Sequence, residues 1–242
     1  IRDVKPGEML IFSKDNNEPE SIMLDNTKEF RPCAFEYIYF ARPDSDINGI
    51  NVYSARENMG ALLAKNDAAL LNADMVIPVP DSGVPAALGY AKESGIPFEL
   101  GIIRNHYVGR TFIEPTQAMR NMKVKMKLSP MRSLIEGKSL VVIDDSVVRG
   151  TTSKRIVKML KDAGAAEVHF RVASPMIQHP CFYGIDTPTK EELINAMMTK
   201  DEVQEFIEAD SLEYLSIDNL KESLGRDTNY SMVSFDGDYF VV

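Results

Sequence analysis

Basic residues are the scarcer charge in this 242-residue chain: 27 Lys and Arg stand against 36 Asp and Glu, for a formal charge of −9. A nucleic-acid binder needs basic surface to neutralise phosphates, so that class is disfavoured. The deficit says little about small anionic ligands, which backbone N–H groups, a few arginines or a bridging metal ion can hold locally. Long apolar runs are also missing. No stretch approaches the roughly 20 apolar residues of a membrane span, and the opening Ile1-Arg2-Asp3-Val4 lacks the apolar core of a secretion signal. No membrane partner is expected, and the expected compartment is cytoplasmic. Cysteine is limited to Cys33 and Cys181. The sequence leaves a disulfide between them open; with no secretion signal, two reduced thiols are the better reading. Of the histidines, His106, His169 and His179, none has a partner at ligand spacing, so none is assigned a metal or acid–base role. Internal repeats and low-complexity tracts are absent.

What remains is an ordinary globular composition, long enough for one well-buried core plus a small appendage and short for two full domains. The first residue is not Met, and residues 3–12 read as a turn entering a strand, so the chain is expected to begin inside a longer protein. Strands are expected at 8–12 and 34–41, with a polar loop over 14–19 between them. A helix over 54–72 is expected, with Ser54 as its cap and Glu57 completing a capping box. The chain then alternates: strand 75–79, helix 84–93, strand 99–103, an irregular stretch 104–128, strand 140–143, helix 152–162 and strand 167–173. That spacing argues for a parallel sheet covered on both faces. Helices are expected over 190–198, 201–207 and 219–224, with a strand at 212–216 and a turn at Asp236-Gly237.

The informative segment is Leu-Val-Val-Ile-Asp-Asp-Ser-Val-Val-Arg-Gly-Thr-Thr-Ser, residues 140–153. A buried strand ends in two carboxylates, Asp144 and Asp145. A short loop with Gly150 and the hydroxyls of Ser146, Thr151 and Thr152 leads into a helix. Ligands bind beyond the carboxyl ends of parallel strands, and a helix N-terminus offers unpaired N–H groups and a positive dipole to a phosphate. The paired aspartates can hold ribose hydroxyls directly or through Mg²⁺, which favours oxygen ligands. One aspartate alone would be read as a helix cap, which is common in α/β proteins. Two in tandem before Ser-x-x-Arg-Gly-Thr-Thr are not.

This string resembles the phosphoribosyl pyrophosphate (PRPP) binding signature of type I phosphoribosyltransferases. Three further segments are similar to glutamine PRPP amidotransferases, in this order and approximate spacing. They are Glu-Tyr-Ile-Tyr-Phe-Ala-Arg-Pro-Asp-Ser (36–45), Asn-His-Tyr-Val-Gly-Arg-Thr-Phe-Ile (105–113) and His-Pro-Cys-Phe-Tyr-Gly-Ile-Asp (179–186). The resemblance implies the type I phosphoribosyltransferase α/β fold, a parallel twisted sheet flanked by helices. It places the end of a glutaminase domain and a linker at 1–31, the transferase at 32–225 and a C-terminal tail at 226–242. PRPP would be held by Asp144, Asp145, Ser146, Val148, Arg149, Gly150, Thr151, Thr152 and Ser82. The loop 78–83 would lie near the pyrophosphate, and Mg²⁺ would sit by Ser82, Asp144 and Asp145. The stretch 104–128 would be a lid, with Arg110 and Tyr107 joining the aspartates as catalytic residues and Met119, Met122 and Met126 helping it repack.

The implied reaction is attack of ammonia on C1 of PRPP, giving 5-phosphoribosylamine and pyrophosphate, the first committed step of purine synthesis. Feedback by purine nucleotides and a homo-oligomer are implied with it. Cys33 and Cys181 match positions that ligate an iron–sulfur cluster in some members, but those need a further C-x-x-C near the end. None is present here, so no cluster is expected. Glutamine hydrolysis would need an N-terminal cysteine nucleophile; the chain starts at Ile1, so the glutaminase is expected to be largely missing. Two rivals remain: a nucleobase-salvage phosphoribosyltransferase, and a non-catalytic PRPP-sensing regulator, which the charge of −9 disfavours.

Overall fold

Short apolar strands that alternate with helices can bury both sheet faces only if successive helices cover opposite sides. The structure, a computed structural model, describes residues 3–14, 16–67, 73–105, 128–185, 187, 189–225 and 229–240. Its first element is an antiparallel ribbon of β1 (Glu8–Ser13) and β2 (Asn16–Met23), with Glu8 opposite Met23. The polar loop expected at 14–19 is therefore mostly strand. Backbone pairing with β1 outweighs the polar composition. Pro19, which has no N–H to give, falls where the register slips between Ile11 and Ser13.

The aromatic segment 34–41 is not a strand but a π-helical turn over Glu36–Phe40. Tyr37 and Ile38 face the core, while Tyr39 and Phe40 stay exposed. Strand propensity loses here because the turn's carbonyls have a buried partner: Arg56 donates from Nε to Tyr37 O at 2.7 Å and from Nη2 to Ala41 O at 2.9 Å. Next comes a hairpin of β3 (Asp46–Ile47) and β4 (Ile50–Asn51), turning through Asn48-Gly49, both at positive φ. Helix α1 spans Val52–Lys65, starting before the expected 54 and closing at Asn66; residues 68–72 of the expected helix lie outside the described residues. Its cap is Asn51, whose Oδ1 accepts from the Ser54 N–H at 3.1 Å, in place of the expected Ser54 cap.

The alternation continues with β5 (Met75–Pro78), α2 (Val84–Ser94), β6 (Ile102–Arg104), β7 (Leu128–Pro130), α3 (Arg132–Ile135), β8 (Ser139–Asp144), α4 (Thr151–Asp162) and β9 (Glu167–Val172). A 3₁₀ turn at Lys190–Glu192 precedes α5 (Ile194–Met197), α6 (Lys200–Ile207), β10 (Ser211–Tyr214), α7 (Ile217–Ser223) and α8 (Val233–Asp236). The single helix expected over 190–198 breaks at Leu193, which is extended, because the next N–H, that of Ile194, bonds Val148 O at 2.9 Å instead. The strand expected at 99–103 also shifts. Phe98 makes a lone parallel bridge to Val76, and β6 pairs antiparallel with β7 across the ends of the 104–128 stretch.

The main sheet is parallel with order β10-β9-β8-β5. Alternate residues of β8 divide the core. Val141 and Ile143 pack with α1, α2 and the 34–38 segment; Leu140 and Val142 pack with α4 and α6. Within the first layer Arg171 of β9, almost wholly buried, pairs with Asp67 just past α1, its Nη2 reaching Oδ1 at 2.8 Å, and Tyr90 of α2 donates to the same carboxylate. The last described segment joins this layer, Phe235 stacking on Phe35 at 5.6 Å.

Helices α1 and α2 cross at glycines. A Cβ on Gly60 would lie 1.8 Å from Ala86 O, and one on Gly89 would lie 1.8 Å from Glu57 O. Gly→Ala inside a helix ordinarily stabilises by about 1 kcal/mol. Here Gly60→Ala should destabilise by about 3 kcal/mol through overpacking, read as a lower urea midpoint. A midpoint that rises would show the two helices standing further apart.

Candidate active site

Strands β5 and β8 are neighbours, Pro78 opposite Ile143, and the chain leaves them in opposite senses. After β5 it passes into α2 on one face and returns beside β5 at Phe98; after β8 it passes into α4 on the other face and returns as β9. In parallel sheets such a divergence is where ligands bind, beyond the carboxyl ends of the two strands. The loop 79–83 is seated directly on the end of β8. The Val79 N–H donates to Ile143 O at 2.8 Å, and a Cβ on Gly83 would come within 2.5 Å of the same oxygen. Only glycine allows that approach.

Asp144 is the last residue of β8 and Asp145 the next; both are buried. The Asp145 N–H donates to Asp144 Oδ1 at 3.0 Å, and Ser146 Oγ donates to Asp145 Oδ1 at 2.6 Å. Ser82, on the 79–83 loop, also hydrogen-bonds the Asp145 carboxylate. Burial pushes the Asp144 carboxyl well above its ordinary 3.8, and the charge of Asp145 pushes the same way. Burial raises Asp145 as well, against the hydrogen bonds from Ser146 and Ser82 and the positive charge of Arg56. Two carboxylates in one desolvated site are short of positive charge, and the donors gathered there are all oxygens. That set suits a hard divalent cation that completes its shell with ligand phosphate oxygens. Among the described residues no cluster of three or more His, Cys, Asp or Glu has metal-holding geometry, so the pair alone is not a full protein cage.

Beyond Asp145 the chain loops tightly into α4. Val147 is buried, Val148 half-buried, and Arg149 exposed and ion-paired with Glu192, Nε to Oε2 at 2.9 Å. Gly150 is left-handed at φ 70°, a backbone that favours glycine, and a Cβ there would also push aside Ile194 Cδ1, 2.6 Å away. Thr151 and Thr152 open α4 on the exposed side, and no side chain caps that helix. Its first-turn amides are left for solvent or an anion.

The fold therefore brings Ser82, Asp144, Asp145, Ser146, Val148, Arg149, Gly150, Thr151 and Thr152 to two adjoining loops, with the Arg149 guanidinium turned to Glu192. Tyr107 and Arg110 lie outside the described residues, as do His106, Met119, Met122 and Met126. Sequence reading missed Arg56, whose place in the buried stripe Val52, Ala55, Met59 and Leu63 of α1 was the available signal. It also missed Asp81, ion-paired with Arg104, and the 192–195 segment behind the loop. Cys33 and Cys181 are free thiols, close enough that the second raises the pKa of the first, with burial the larger cause. His169 is a structural hydrogen-bonder, its Nδ1 2.8 Å from Ser211 Oγ.

A parallel sheet with an acid pair and an uncapped helix N-terminus at its switch point accords with the type I phosphoribosyltransferase fold, and residues 51–205 match the family described as the phosphoribosyl transferase domain. The chain belongs to that family. Within it, the chain is similar along nearly its whole length to one region of amidophosphoribosyltransferases. It is 53% identical to the Bacillus subtilis enzyme over 93% of this chain and 47% of the relative. It is 49% identical to that of Methanothermobacter thermautotrophicus over 99% and 50%. A chloroplastic relative from Arabidopsis thaliana is 52% identical over 98% of this chain and 42% of its own length. The solved B. subtilis glutamine PRPP amidotransferase, complexed with ADP and GMP, superposes with a TM-score of 0.87 at 50% identity, covering 99% of this chain and 53% of that one. The chain thus spans about half the length of the relatives it matches. Among the described residues no helix is long and apolar enough to cross a membrane.

The acid pair sets a sign for stability. The folded Asp144 pKa lies above its unfolded value near 3.8, so folding binds protons, and a cost grows as pH rises from that value through the folded one. Asp144→Asn keeps the oxygen that accepts from the Asp145 N–H and removes that cost. In EDTA at pH 7 the variant should melt above wild type, the gap closing as pH falls toward 4. A variant that melts lower at pH 7 would show that the charge itself holds the loop.

Proposed function

We propose that this chain carries the phosphoribosyl-transfer step of an amidophosphoribosyltransferase: ammonia and PRPP give 5-phosphoribosylamine and pyrophosphate. The observation that carries the reading is the buried acid pair Asp144–Asp145, seated beside Ser82 and ahead of the uncapped N-terminus of α4. The nitrogen lone pair of ammonia forms the bond to C1, the C1–O bond to pyrophosphate breaks with its electrons leaving on oxygen, and the new ammonium loses a proton to solvent. The transition state has oxocarbenium character, as at other glycosidic centres.

Each loop has one task in this reading. The 146–152 loop and the first turn of α4 bind the 5-phosphate through N–H groups and the hydroxyls of Ser146, Thr151 and Thr152. Asp144 and Asp145 orient the ribose hydroxyls, so that C1 faces the nucleophile in one pose. The 79–83 loop approaches the pyrophosphate. Ser82, Asp144 and Asp145 would hold Mg²⁺, which supplies positive charge to the departing pyrophosphate when bound. Arg110 and Tyr107 are assigned to the leaving-group side on sequence grounds. In the cytoplasm of its source this chain would work with a glutaminase, whose last strands we assign to residues 1–31, and supply from it the ammonia drawn from glutamine. The 32–225 transferase with its 226–242 tail would assemble as a homo-oligomer. Purine nucleotides would inhibit it, as the nucleotide-bound B. subtilis relative suggests.

The test is release of pyrophosphate from PRPP with ammonium salts and Mg²⁺. Because NH₃ is the nucleophile, the rate should climb with pH until the protein fails. The double variant Asp144→Asn, Asp145→Asn should lose about 10²-fold or more of that rate while remaining folded. Near-normal turnover by that variant would show that the acid pair takes no part in the reaction.

A further inference from the structure

The loop between β8 and α4 is held by residues far along the chain. Two successive loop carbonyls turn toward α5: Val148 O accepts the Ile194 N–H at 2.9 Å, and Val147 O accepts from Asn195 Nδ2 at 3.4 Å. In a planar trans peptide the N–H opposes the carbonyl, so the N–H groups of Val148 and Arg149 point away from α5. Among the described residues neither donates to a backbone carbonyl. The loop's donors are turned outward because its acceptors are tied down behind it.

Asn195 is the buried hub of this support. Tyr214 of β10 donates its hydroxyl to Asn195 Oδ1 at 2.9 Å, and Gln178 donates Nε2 to the Asn195 carbonyl at 3.3 Å. The amide can face only one way. Val147 O is purely an acceptor, so the NH₂ must meet it, and Oδ1 is left to Tyr214. Burial pushes the Tyr214 phenol up to about 12, so it stays a donor through the neutral range.

We propose that Asn195 is a positioning residue for phosphate binding, with Tyr214 fixing its amide so that Val147 O is drawn back and the loop amides face the 5-phosphate of PRPP. The inference rests on the phosphoribosyl-transfer reading. It concerns one of the two ligand loops only, since the 79–83 loop reaches its place through Ile143 O and not through α5.

Titration calorimetry with ribose 5-phosphate and, separately, with Mg-pyrophosphate distinguishes this role from general support of the fold. Asn195→Asp sets a carboxylate oxygen against Val147 O. It should weaken ribose 5-phosphate by about 10-fold or more, the scale of one unsatisfied buried acceptor, while Mg-pyrophosphate stays within about 2-fold. Asn195→Ala should act in the same direction. Tyr214→Phe, a mild change to a half-buried ring, should weaken ribose 5-phosphate by about 3-fold, and should add nothing on top of Asn195→Ala if the two act in series. Unchanged ribose 5-phosphate affinity in all variants overturns the proposal, and so does equal loss of both ligands. If the wild-type chain binds neither ligand, the phosphoribosyl-transfer reading fails, and this inference with it.

Discussion

A strand packed on both faces can carry an unpaired charge only at its ends. That constraint, imposed on β8 by apolar layers above and below it, organises the molecule. Leu140 to Ile143 leave no room for a polar group, so the first carboxylates appear where the strand stops. Because β5 ends level with β8, the loop from the neighbouring strand arrives at the same spot, and Gly83 lets it come into contact. The acid pair and the two loops that adjoin it are consequences of one strand's burial. What the site adds locally is small: a few hydroxyls, two glycines and a helix left without a cap.

Two buried arginines show different ways of keeping a cation out of water. Arg171 is neutralised by the bidentate Asp67 carboxylate, with Tyr90 as a third member, and knits the sheet to α1 and α2. Satisfied on every side, such a group specifies geometry more than it adds stability. Arg56 instead spends its hydrogen bonds on two carbonyls, which carry no net charge. Its charge is left to act at longer range, and the group that feels it is Asp145. The π-helical turn at Glu36–Phe40 is thereby coupled to the acid pair, although no residue of the turn reaches it.

Much of this was legible in the sequence because the chemistry is local. Asp144 to Ser153 are contiguous, and a buried run followed by Asp-Asp and Gly-Thr-Thr announces strand, loop and helix in order. The parallel sheet followed from spacing alone. The failures share a cause as well. At 34–41 aromatic and β-branched residues suit a pleated surface, and only the distant Arg56 decides for a helical turn. At 190–198 helical periodicity is sound, yet Val148 O, over forty positions upstream, captures the Ile194 N–H and breaks the helix. The hairpin at Asn48-Gly49 is a different case: its turn residues were explicit, and its two-residue strands were too short to show a period. Asn195 offers no pattern at all, since a buried amide is recognisable only once its two partners, Val147 O and the Tyr214 hydroxyl, are in place.

The ribbon of β1 and β2 has a consequence for how the molecule behaves as a colloid. Phe12 and Leu24 are 76% and 67% exposed, and Met9, Ile11 and Met23 lie open beside them. Among the described residues neither strand of the ribbon pairs with a third, and an edge of that kind is a template for a further strand. Against this stands a net charge of −9, which makes the chains repel one another. The repulsion reaches only as far as the Debye length, about 10 Å at 0.1 M salt and about 3 Å at 1 M, whereas the stickiness of apolar side chains does not fade with salt. Salt therefore shifts the balance at this ribbon from charge repulsion toward apolar attraction, whatever strand or apolar face lies beside it.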